Sequence, residues 1–254
     1  MWLTPDWPAP AGVHAICTTR SGGVSVAPYD SLNLGDHVGD DPAHVVTNQA
    51  IFEQAIGAHP VFLNQVHGIH VVTLDATTPG GPTADASLTK LPGLACTVMV
   101  ADCLPVLFAT DDGRRVAAAH AGWRGLAGQG GVGILEATVK HLLTTDMQTK
   151  GILAWLGPCI GPQAFEVGDE VRAAFTASDP RAADCFKPLA LTSGKWLADL
   201  AALAHLRLRA MGVSQIYGND SSAAWCTVGN VSHFFSYRRD RVTGRFCASV
   251  WCHD

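Results

Sequence analysis

The chain has 254 residues, of which 48% are hydrophobic and 15% are charged, and 17 Lys and Arg against 22 Asp and Glu give a formal net charge of −5. This composition excludes a disordered chain, because so apolar a sequence must bury a large core. The mildly acidic balance provides no general electrostatic attraction to nucleic acid or to an anionic membrane surface. We therefore expect a globular protein that binds neither nucleic acid nor membrane.

The N-terminal segment lacks the pattern of a secretory signal, because Pro5, Pro8 and Pro10 interrupt it and no basic stretch precedes an apolar one. Eight cysteines are scattered over strand-like apolar runs, with no CxxC pair. This distribution is typical of reduced thiols that pack as small hydrophobic side chains. We therefore expect a cytoplasmic protein.

Hydrophobic periodicity predicts strands and helices mixed along the chain. The predicted elements of the first part are strands at 14–19, 61–64, 70–74, 95–100, 105–110 and 115–120, and a helix at Pro42–Ile56 that follows Asp41 as its cap. Those of the second part are helices at 131–143, 168–175 and 195–211, and strands at Ile152–Leu156, 215–217, 233–237 and 245–251. Strands outnumber helices, which indicates a mixed α/β architecture.

Two short polar connections, 111–113 and 240–244, join predicted neighbouring strands and are typical of hairpin turns. Part of the sheet should therefore be antiparallel, which disfavours a purely parallel, doubly wound sheet. No repeat, low-complexity tract or linker marks a boundary, so residues 1–254 are expected to form one domain. The predicted fold class is α/β, a single-domain, mixed-sheet layered sandwich with antiparallel hairpins.

Three residues with metal-binding or nucleophilic side chains lie where predicted strands end: His67, Cys103 and His120. Two imidazoles and a thiolate are ligands that zinc prefers, and three protein ligands would leave the open position of a catalytic site. The same residues allow a second interpretation, in which Cys103 is a nucleophile and a histidine is its base. A third is purely structural, with hydrogen-bonded histidines and a buried thiol.

Several residues are candidates for binding an anion. Arg20, Gly22 and Gly23 form a turn after a predicted strand, where a guanidinium and free backbone amides could hold a phosphate, although the sequence is not a nucleotide-binding P-loop. Arg124 and Arg238 are further candidates. An ordinary turn and solvated arginines are the alternative interpretation.

A turn rich in proline and glycine, GPCIGP at 157–162, leads to Glu166, which is a candidate proton donor or acceptor. It could equally be an acid that faces the positive end of a helix. Asn33 lies in a polar stretch that could be a wall of the site or a capped turn, and Gln65 is part of NQVHG at 64–68.

Five sequence blocks occur together and in order: NQVHG at 64–68, ADCLPVLF at 101–108, AAAHAGWRGLAG at 117–128, LGPCIGPQAFEVG at 156–168 and FFSYRRDRVTGR at 234–245. Together with TTRSGGVS at 18–25 and SLNLGDHVGDD at 31–41, they cover nearly the whole chain. The sequence resembles the bacterial purine nucleoside phosphorylase family, which was earlier named the laccase-domain or multicopper polyphenol oxidase family and is also called peptidoglycan editing factor.

The resemblance implies an α/β sandwich and one zinc ion per chain, held by His67, Cys103 and His120. It also implies phosphorolysis of adenosine, inosine, guanosine and methylthioadenosine to a free base and a sugar 1-phosphate, and deamination of adenosine to inosine. The substrates would be purine nucleosides and inorganic phosphate, and the protein a monomer or small homo-oligomer.

These two reactions need specific groups, which we assign as hypotheses. Arg20, the turn at Gly22 and Gly23, and Arg238 are the expected phosphate contacts, since phosphorolysis requires cationic and amide donors for the attacking phosphate. Deamination needs a water activated by zinc and a carboxylate that moves protons. Asp102 and Glu166 are the candidate carboxylates.

Three other functions compete with this interpretation. A copper polyphenol oxidase would need close H-x-H pairs, and the sequence has none, which disfavours copper. A cysteine hydrolase or amidase acting on cell-wall peptides would use Cys103 with a histidine. A binding module would use zinc only for structure, closed by a fourth protein ligand.

Overall fold

A computed structural model of the chain describes residues 2–143, 151–190 and 192–253. The strands are β1 (Val13–Cys17), β2 (His59–Val61), β3 (Val71–Thr73), β4 (Ala86–Thr89), β5 (Leu94–Val100), β6 (Leu104–Thr110), β7 (Val116–Ala121), β8 (Ile152–Leu156), β9 (Glu166–Gly168), β10 (Phe186–Pro188), β11 (Lys195–Ala198), β12 (Gln215–Gly218) and β13 (Phe246–Cys252). The helices are α1 (Pro42–Ile56), α2 (Trp123–Ala127), α3 (Ile134–Leu142), α4 (Asp169–Thr176), α5 (Leu200–Ala210) and α6 (Tyr237–Asp240), with short 3-10 helices at Pro180–Cys185 and Ala223–Trp225.

The strands form a mixed set of sheets. The largest has the order β12-β8-β6-β7-β4-β3, a second has the order β1-β13-β5-β2, and a small one joins β10, β11 and β9. The pairs β12–β8 and β3–β4 are parallel, whereas β6 pairs antiparallel with both β7 and β8. The predicted mixed sheet is therefore confirmed.

β6 shows why the sandwich has layers. All of its residues are buried, and because side chains alternate between the two faces of a strand, the faces pack against different partners. Phe108 packs in one core with side chains of α3 and α5. Leu107 packs in a second core, between the six-stranded and the four-stranded sheets.

Helix α1 covers the outer face of the four-stranded sheet, where its Phe52 packs near Met99 of β5. Its beginning is capped as predicted, since the Asp41 carboxylate accepts a hydrogen bond of 2.8 Å from the Ala43 amide. Its predicted bounds, Pro42–Ile56, are those of the structure. No helix within the described ranges is long and apolar enough to cross a membrane.

The hairpin prediction at 111–113 is confirmed, because β6 and β7 pair antiparallel across this turn and Gly113 has a φ of 70°, in the left-handed region that favours glycine. This hairpin matters for the site, since its register places His120 opposite Pro105, two residues after Cys103.

The prediction of a strand at 233–237 is wrong, and so is the hairpin at 240–244 that depended on it. The apolar Phe234 and Phe235 are buried in an irregular segment that follows a turn at 231–233. Helix α6 comes next because the Ser236 hydroxyl accepts a hydrogen bond from the Arg239 amide. The predicted helix 195–211 is also wrong at its start. Residues Lys195–Ala198 are strand β11, and α5 begins only after Asp199, whose carboxylate caps it through the Ala202 amide.

The helix predicted from residue 131 begins at Ile134, because the Gly133 amide donates to the Glu136 side chain and starts the helix there. Periodicity missed the short strands β4, β9 and β10, which have three or four residues each and show no alternation to detect.

Candidate metal and substrate site

Two loops and one strand bring His67, Cys103 and His120 together. His67 lies between β2 and β3, Cys103 between β5 and β6, and His120 in β7. The possible ligand atoms of the three side chains all lie within 4.8 Å of one another, and the Cys103 Sγ is 3.6 Å from the His67 Nε2. His120 is buried, Cys103 is half-buried and His67 is exposed, so the group opens to one side.

The spacing of Cys103 and His67 fits two ligands of a tetrahedral metal ion. With zinc–nitrogen bonds of about 2.05 Å and a zinc–sulfur bond of about 2.3 Å, tetrahedral geometry separates nitrogen and sulfur by about 3.6 Å. The distance between Cys103 and His67 has this value. Two imidazoles and a thiolate also occur in mononuclear copper sites, so the donor set supports a metal without identifying it. Within the described residues this is the one group of three such side chains close enough to hold an ion.

A buried carboxylate that the sequence analysis missed, Asp85, holds the two histidines. Its Oδ1 accepts hydrogen bonds of 2.8 Å from the backbone amide of His67 and of 2.8 Å from the Nδ1 of His120. Its Oδ2 accepts from the amides of Gly68 at 2.6 Å and Val66 at 3.2 Å. The side chain of Asp85 is fully buried.

The charges of this cluster stabilise each other. Burial alone raises the pKa of Cys103, but the positive charge and hydrogen bond of His120, with a contribution from His67, lower it to about 6. Burial alone lowers the pKa of His120, but the Cys103 thiolate and the Asp85 carboxylate raise it to about 9. Burial raises the pKa of Asp85, and the hydrogen bonds from His120 and Gly68 overcome it, so its pKa is lowered. In the metal-free protein, the cluster therefore favours a negative charge on Cys103 and a positive charge on His120.

The group opens into a cavity of about 520 Å³. One wall is apolar and includes Met99, Trp123, Ile160, Phe165 and Leu200. The cavity is large enough for a small organic ligand, and its mixture of apolar surface with few polar groups is typical of such sites.

Four arginines line this cavity: Arg124, Arg238, Arg241 and Arg245. No salt bridge between described residues joins any of them to a carboxylate. Burial lowers the pKa of Arg245, but a guanidinium stays charged in proteins. The cavity therefore has an excess of positive charge and would favour an anion.

The backbone partially orients these arginines. The Nη1 of Arg245 donates to the carbonyls of Thr243 at 3.1 Å and Gly244 at 3.0 Å. The Nη1 of Arg238 donates to the carbonyls of Ala164 at 3.3 Å and Glu166 at 3.1 Å. Each contact uses one of several donors, so both guanidinium groups retain donors for a ligand.

Asp102, which precedes Cys103, lies at the cavity and has a φ of 95°. Its Oδ1 accepts a hydrogen bond of 2.6 Å from the Thr227 hydroxyl, and its Oδ2 accepts one of 2.6 Å from the Arg238 amide. The carboxylate therefore joins the Cys103 segment to Arg238, which together with Arg241 and Arg245 forms what we call the arginine wall.

Gln65 also lies at the cavity, but its amide is engaged with β5. Its Nε2 donates to the Met99 carbonyl and its Oε1 accepts from the Met99 amide, both at 2.8 Å. These contacts fix the loop that carries His67 to the adjacent strand.

The other site candidates do not line the cavity. Arg20 donates to the carbonyls of Asp30 and Val231, and the amides of Gly22 and Gly23 donate to the Ser31 hydroxyl. Asn33 is buried and bonds to the amides of Gly35 and Arg245. The Glu166 side chain is 52% exposed and lies 3.8 Å from the Lys195 Nζ.

Asp85, Arg241 and Arg245 support or line the site although none of them was predicted from the sequence, whereas His37, which also lines the cavity, ends the polar stretch predicted as a possible wall. The segment TADASLT at 83–89 gave no clear signal for Asp85, because its mixture of polar and apolar residues does not show that this acid is buried. Arg241 and Arg245 stand in the block FFSYRRDRVTGR, in which only Arg238 was singled out.

The sequence matches the model of the family described as multi-copper polyphenol oxidoreductase laccase over residues 14–253. It is 51% identical over 253 residues to the Pseudomonas aeruginosa protein named purine nucleoside phosphorylase PA4543, covering 100% of this chain and 99% of that protein. It is 49% identical over 252 residues to the Escherichia coli protein named purine nucleoside phosphorylase YfiH, covering 98% of both.

Solved structures show the same fold. Protein NMB0706 of Neisseria meningitidis is 47% identical with a TM-score of 0.90, covering 100% of this chain and 99% of that one. YlmD of Geobacillus stearothermophilus is 31% identical with a TM-score of 0.85, covering 100% of this chain and 96% of that one.

Proposed function

The chain belongs to the family described as multi-copper polyphenol oxidoreductase laccase, and on that premise we propose that it is a zinc-dependent purine nucleoside phosphorylase that also deaminates adenosine. The names of its relatives support the phosphorylase part of this proposal. The observation that carries it is the cavity at His67, Cys103 and His120, where an apolar wall and unpaired arginines lie together.

Phosphorolysis has two substrates, a nucleoside and inorganic phosphate, and the cavity has a surface that suits each of them. The apolar wall with Trp123 and Phe165 fits a planar purine base, because aromatic side chains bind flat rings by stacking. Arg238, Arg241 and Arg245 fit inorganic phosphate, because guanidinium donors bind phosphate oxygens in pairs.

In phosphorolysis, a phosphate oxygen forms a bond to the ribose anomeric carbon while the bond from that carbon to the purine nitrogen breaks. The arginines would hold the phosphate in line with this carbon and stabilise its charge. We place the phosphate contacts on this arginine wall rather than on Arg20, Gly22 and Gly23, whose donors are engaged away from the cavity. Arg124 is a candidate of the same kind at the edge of the cavity, where it stacks on Trp123.

For proton transfer we propose Asp102 and not Glu166. Asp102 lines the cavity, and its Oδ1 accepts a hydrogen bond from the Thr227 hydroxyl. Glu166 is exposed beside Lys195. A carboxylate that moves protons must reach the substrate directly or through one water, which favours Asp102.

Zinc held by His67, Cys103 and His120 would supply a Lewis acid with an open position and would acidify a water for deamination. We propose zinc, one ion per chain, because a multicopper oxidase needs several clusters of ligands and the described residues contain one. Metal analysis of the purified protein by mass spectrometry tests this.

The test of the function is a product chromatogram of the zinc-loaded protein with adenosine, run with and without phosphate. Adenine that forms only with phosphate supports phosphorolysis, and inosine in both samples supports deamination. If neither product forms with zinc present at one per chain, the nucleoside function is refuted.

The arginine wall has its own test, with a matched control. Losing a charge-assisted contact costs about 1.5–3 kcal/mol, so we expect Arg241→Met to raise the KM for phosphate about 10- to 100-fold. The control is Arg114→Met, which removes an exposed arginine paired with Asp112 and should leave the KM unchanged. An unchanged KM in Arg241→Met would remove this residue from the phosphate site.

A second candidate function is a cysteine hydrolase or amidase, for which the structure offers a specific observation. Asp85 bonds to the Nδ1 of His120, and the pKa of Cys103 is lowered to about 6 chiefly by His120 against the effect of burial. This order of acid, histidine and thiolate is that of a nucleophilic triad. A strong chelator separates the two functions, because it should abolish phosphorolysis and leave a hydrolase active.

We also propose that the protein acts in the cytoplasm as a monomer or small homo-oligomer. All eight cysteines are free thiols, which is typical of a reducing compartment. Sedimentation of the purified protein tests the oligomeric state.

A further inference from the structure

We propose that Asp85 is the positioning residue of the metal site, and that it sets the metal affinity by holding both histidine ligands from one carboxylate. This inference rests on the metal site of the proposed function. It does not depend on which substrate the protein uses. No atom of Asp85 would touch the metal or the substrate.

His120 is the first ligand that Asp85 holds. The Oδ1 of Asp85 also accepts a hydrogen bond of 2.8 Å from the His67 amide, which marks it as an acceptor, so the Nδ1 of His120 is the donor of their 2.8 Å hydrogen bond. This leaves the lone pair of a neutral His120 on Nε2. Asp85 also holds the strand itself, since the His120 amide donates to the Asp85 carbonyl at 2.7 Å. Position and tautomer of this ligand are thus set by one residue.

The second ligand is His67. Its backbone has a φ of 59°, in the left-handed region that few residues other than glycine adopt. The consecutive amides of Val66, His67 and Gly68 all point at the Asp85 carboxylate. These three hydrogen bonds hold the backbone in this conformation and so aim the His67 ring at Cys103.

Asparagine cannot replace this carboxylate, although it has the same shape. Its oxygen can accept two of the four hydrogen bonds, and its NH₂ group then faces the donors of the other two. In one orientation the NH₂ opposes the amides of Val66 and Gly68, and the His67 loop must move. In the other it opposes the His67 amide and the Nδ1 of His120, which favours the His120 tautomer that cannot bind a metal through Nε2.

The test is Asp85→Asn, with Asp199→Asn as the matched control. Asp199 is also a carboxylate that accepts from a backbone amide, that of Ala202, and from a side chain, the Ser221 hydroxyl, but it lies outside the metal group. We expect the affinity for Zn²⁺, measured by competition with a chromogenic chelator, to fall about 10- to 100-fold in Asp85→Asn and to stay unchanged in Asp199→Asn.

A purely structural role of Asp85 predicts a different result. Both variants would then lose thermal stability without metal, while Zn²⁺ affinity and the visible spectrum of the Co²⁺-substituted protein would equal those of the wild type. That outcome would overturn the proposal. None of these readouts uses a nucleoside, so a failure here is distinct from a failure of the proposed activity.

A measurement on the unaltered protein covers the case in which Asp85→Asn does not fold. In protein with ¹⁵N-labelled histidine, we expect His120 to keep its proton on Nδ1 when Zn²⁺ is added and to bind the ion through Nε2. Binding through Nδ1, or loss of the Nδ1 proton, would refute the role assigned to Asp85.

Discussion

Gly122 offers a way to displace the ligands of the metal group without substituting any of them. It lies between β7 and α2 with φ −66° and ψ 157°, a conformation that alanine adopts freely. A Cβ at this position would be 2.7 Å from the Cδ2 of His67 and 3.1 Å from the Sγ of Cys103. Ordinary contact begins at 3.4 Å, so the His67 ring must retreat by the difference, about 0.7 Å.

This shift is large for a metal site, in which ligand distances are held to about ±0.2 Å. We therefore expect Gly122→Ala to weaken Zn²⁺ binding by about 10- to 100-fold, the loss seen when ligands are misaligned. With the ion supplied in excess, turnover should fall by about 100-fold, as for other misplacements of this size. The exposed His67 can yield, so the free energy of unfolding of the metal-free protein should change by less than about 1 kcal/mol.

The assays are chelator competition for Zn²⁺ and urea unfolding, with Gly80→Ala as the control. Gly80 has no atom within 4 Å of a Cβ and no positive φ, so alanine there should change neither quantity. If Gly122→Ala binds Zn²⁺ and turns over like the wild type, the reasoning is refuted, because the ligands would then tolerate the displacement. A loss of several kcal/mol without metal would refute the premise that His67 yields.

Three further predictions concern charge and stability. In metal-free protein, we expect the absorbance of the Cys103 thiolate to rise with a midpoint near pH 6 and not near the ordinary 9, because the effect of His120 outweighs that of burial. The signal is the difference between the wild type and Cys103→Ser, and a midpoint above 8 would contradict this prediction. Asp41→Ala should lower the free energy of unfolding by about 1 kcal/mol through loss of the α1 cap, with Zn²⁺ affinity unchanged, as urea unfolding and chelator competition can show. Glu136→Ala should cost about 3–5 kcal/mol in urea unfolding, because it leaves the buried Arg207 without its 2.8 Å partner, and a cost below 1 kcal/mol would show that water replaces the pair.

Features that depend only on residues close by in the sequence were predictable. The bounds and cap of α1, the central strands β5 to β7 and the turn at Gly113 follow from local periodicity, capping and turn chemistry. His67, Cys103 and His120 were identifiable because each places a metal-binding side chain at a strand end, and the fold brings them within 4.8 Å.

Where local and long-range preferences differ, prediction failed. Asp199 is a local cap signal for a helix that begins at Leu200, but the sequence does not show that residues 195–198 form a strand, because they do so by pairing with β9 and β10. Residues 233–237 look like a strand, but Phe234 and Phe235 are buried from an irregular segment that pairs with no strand in the part of the chain that the structure describes.

The amino-acid sequence alone identifies the side chains that can bind a metal or an anion and the kinds of segment that carry them. Which of these side chains act together depends on the three-dimensional fold. Asp85 holds both histidines, Arg241 and Arg245 join Arg238 at the cavity, and Arg20 turns away from it. The physical reason is that these contacts depend on strand pairing between distant segments, and a register is set by the packing of the whole sheet.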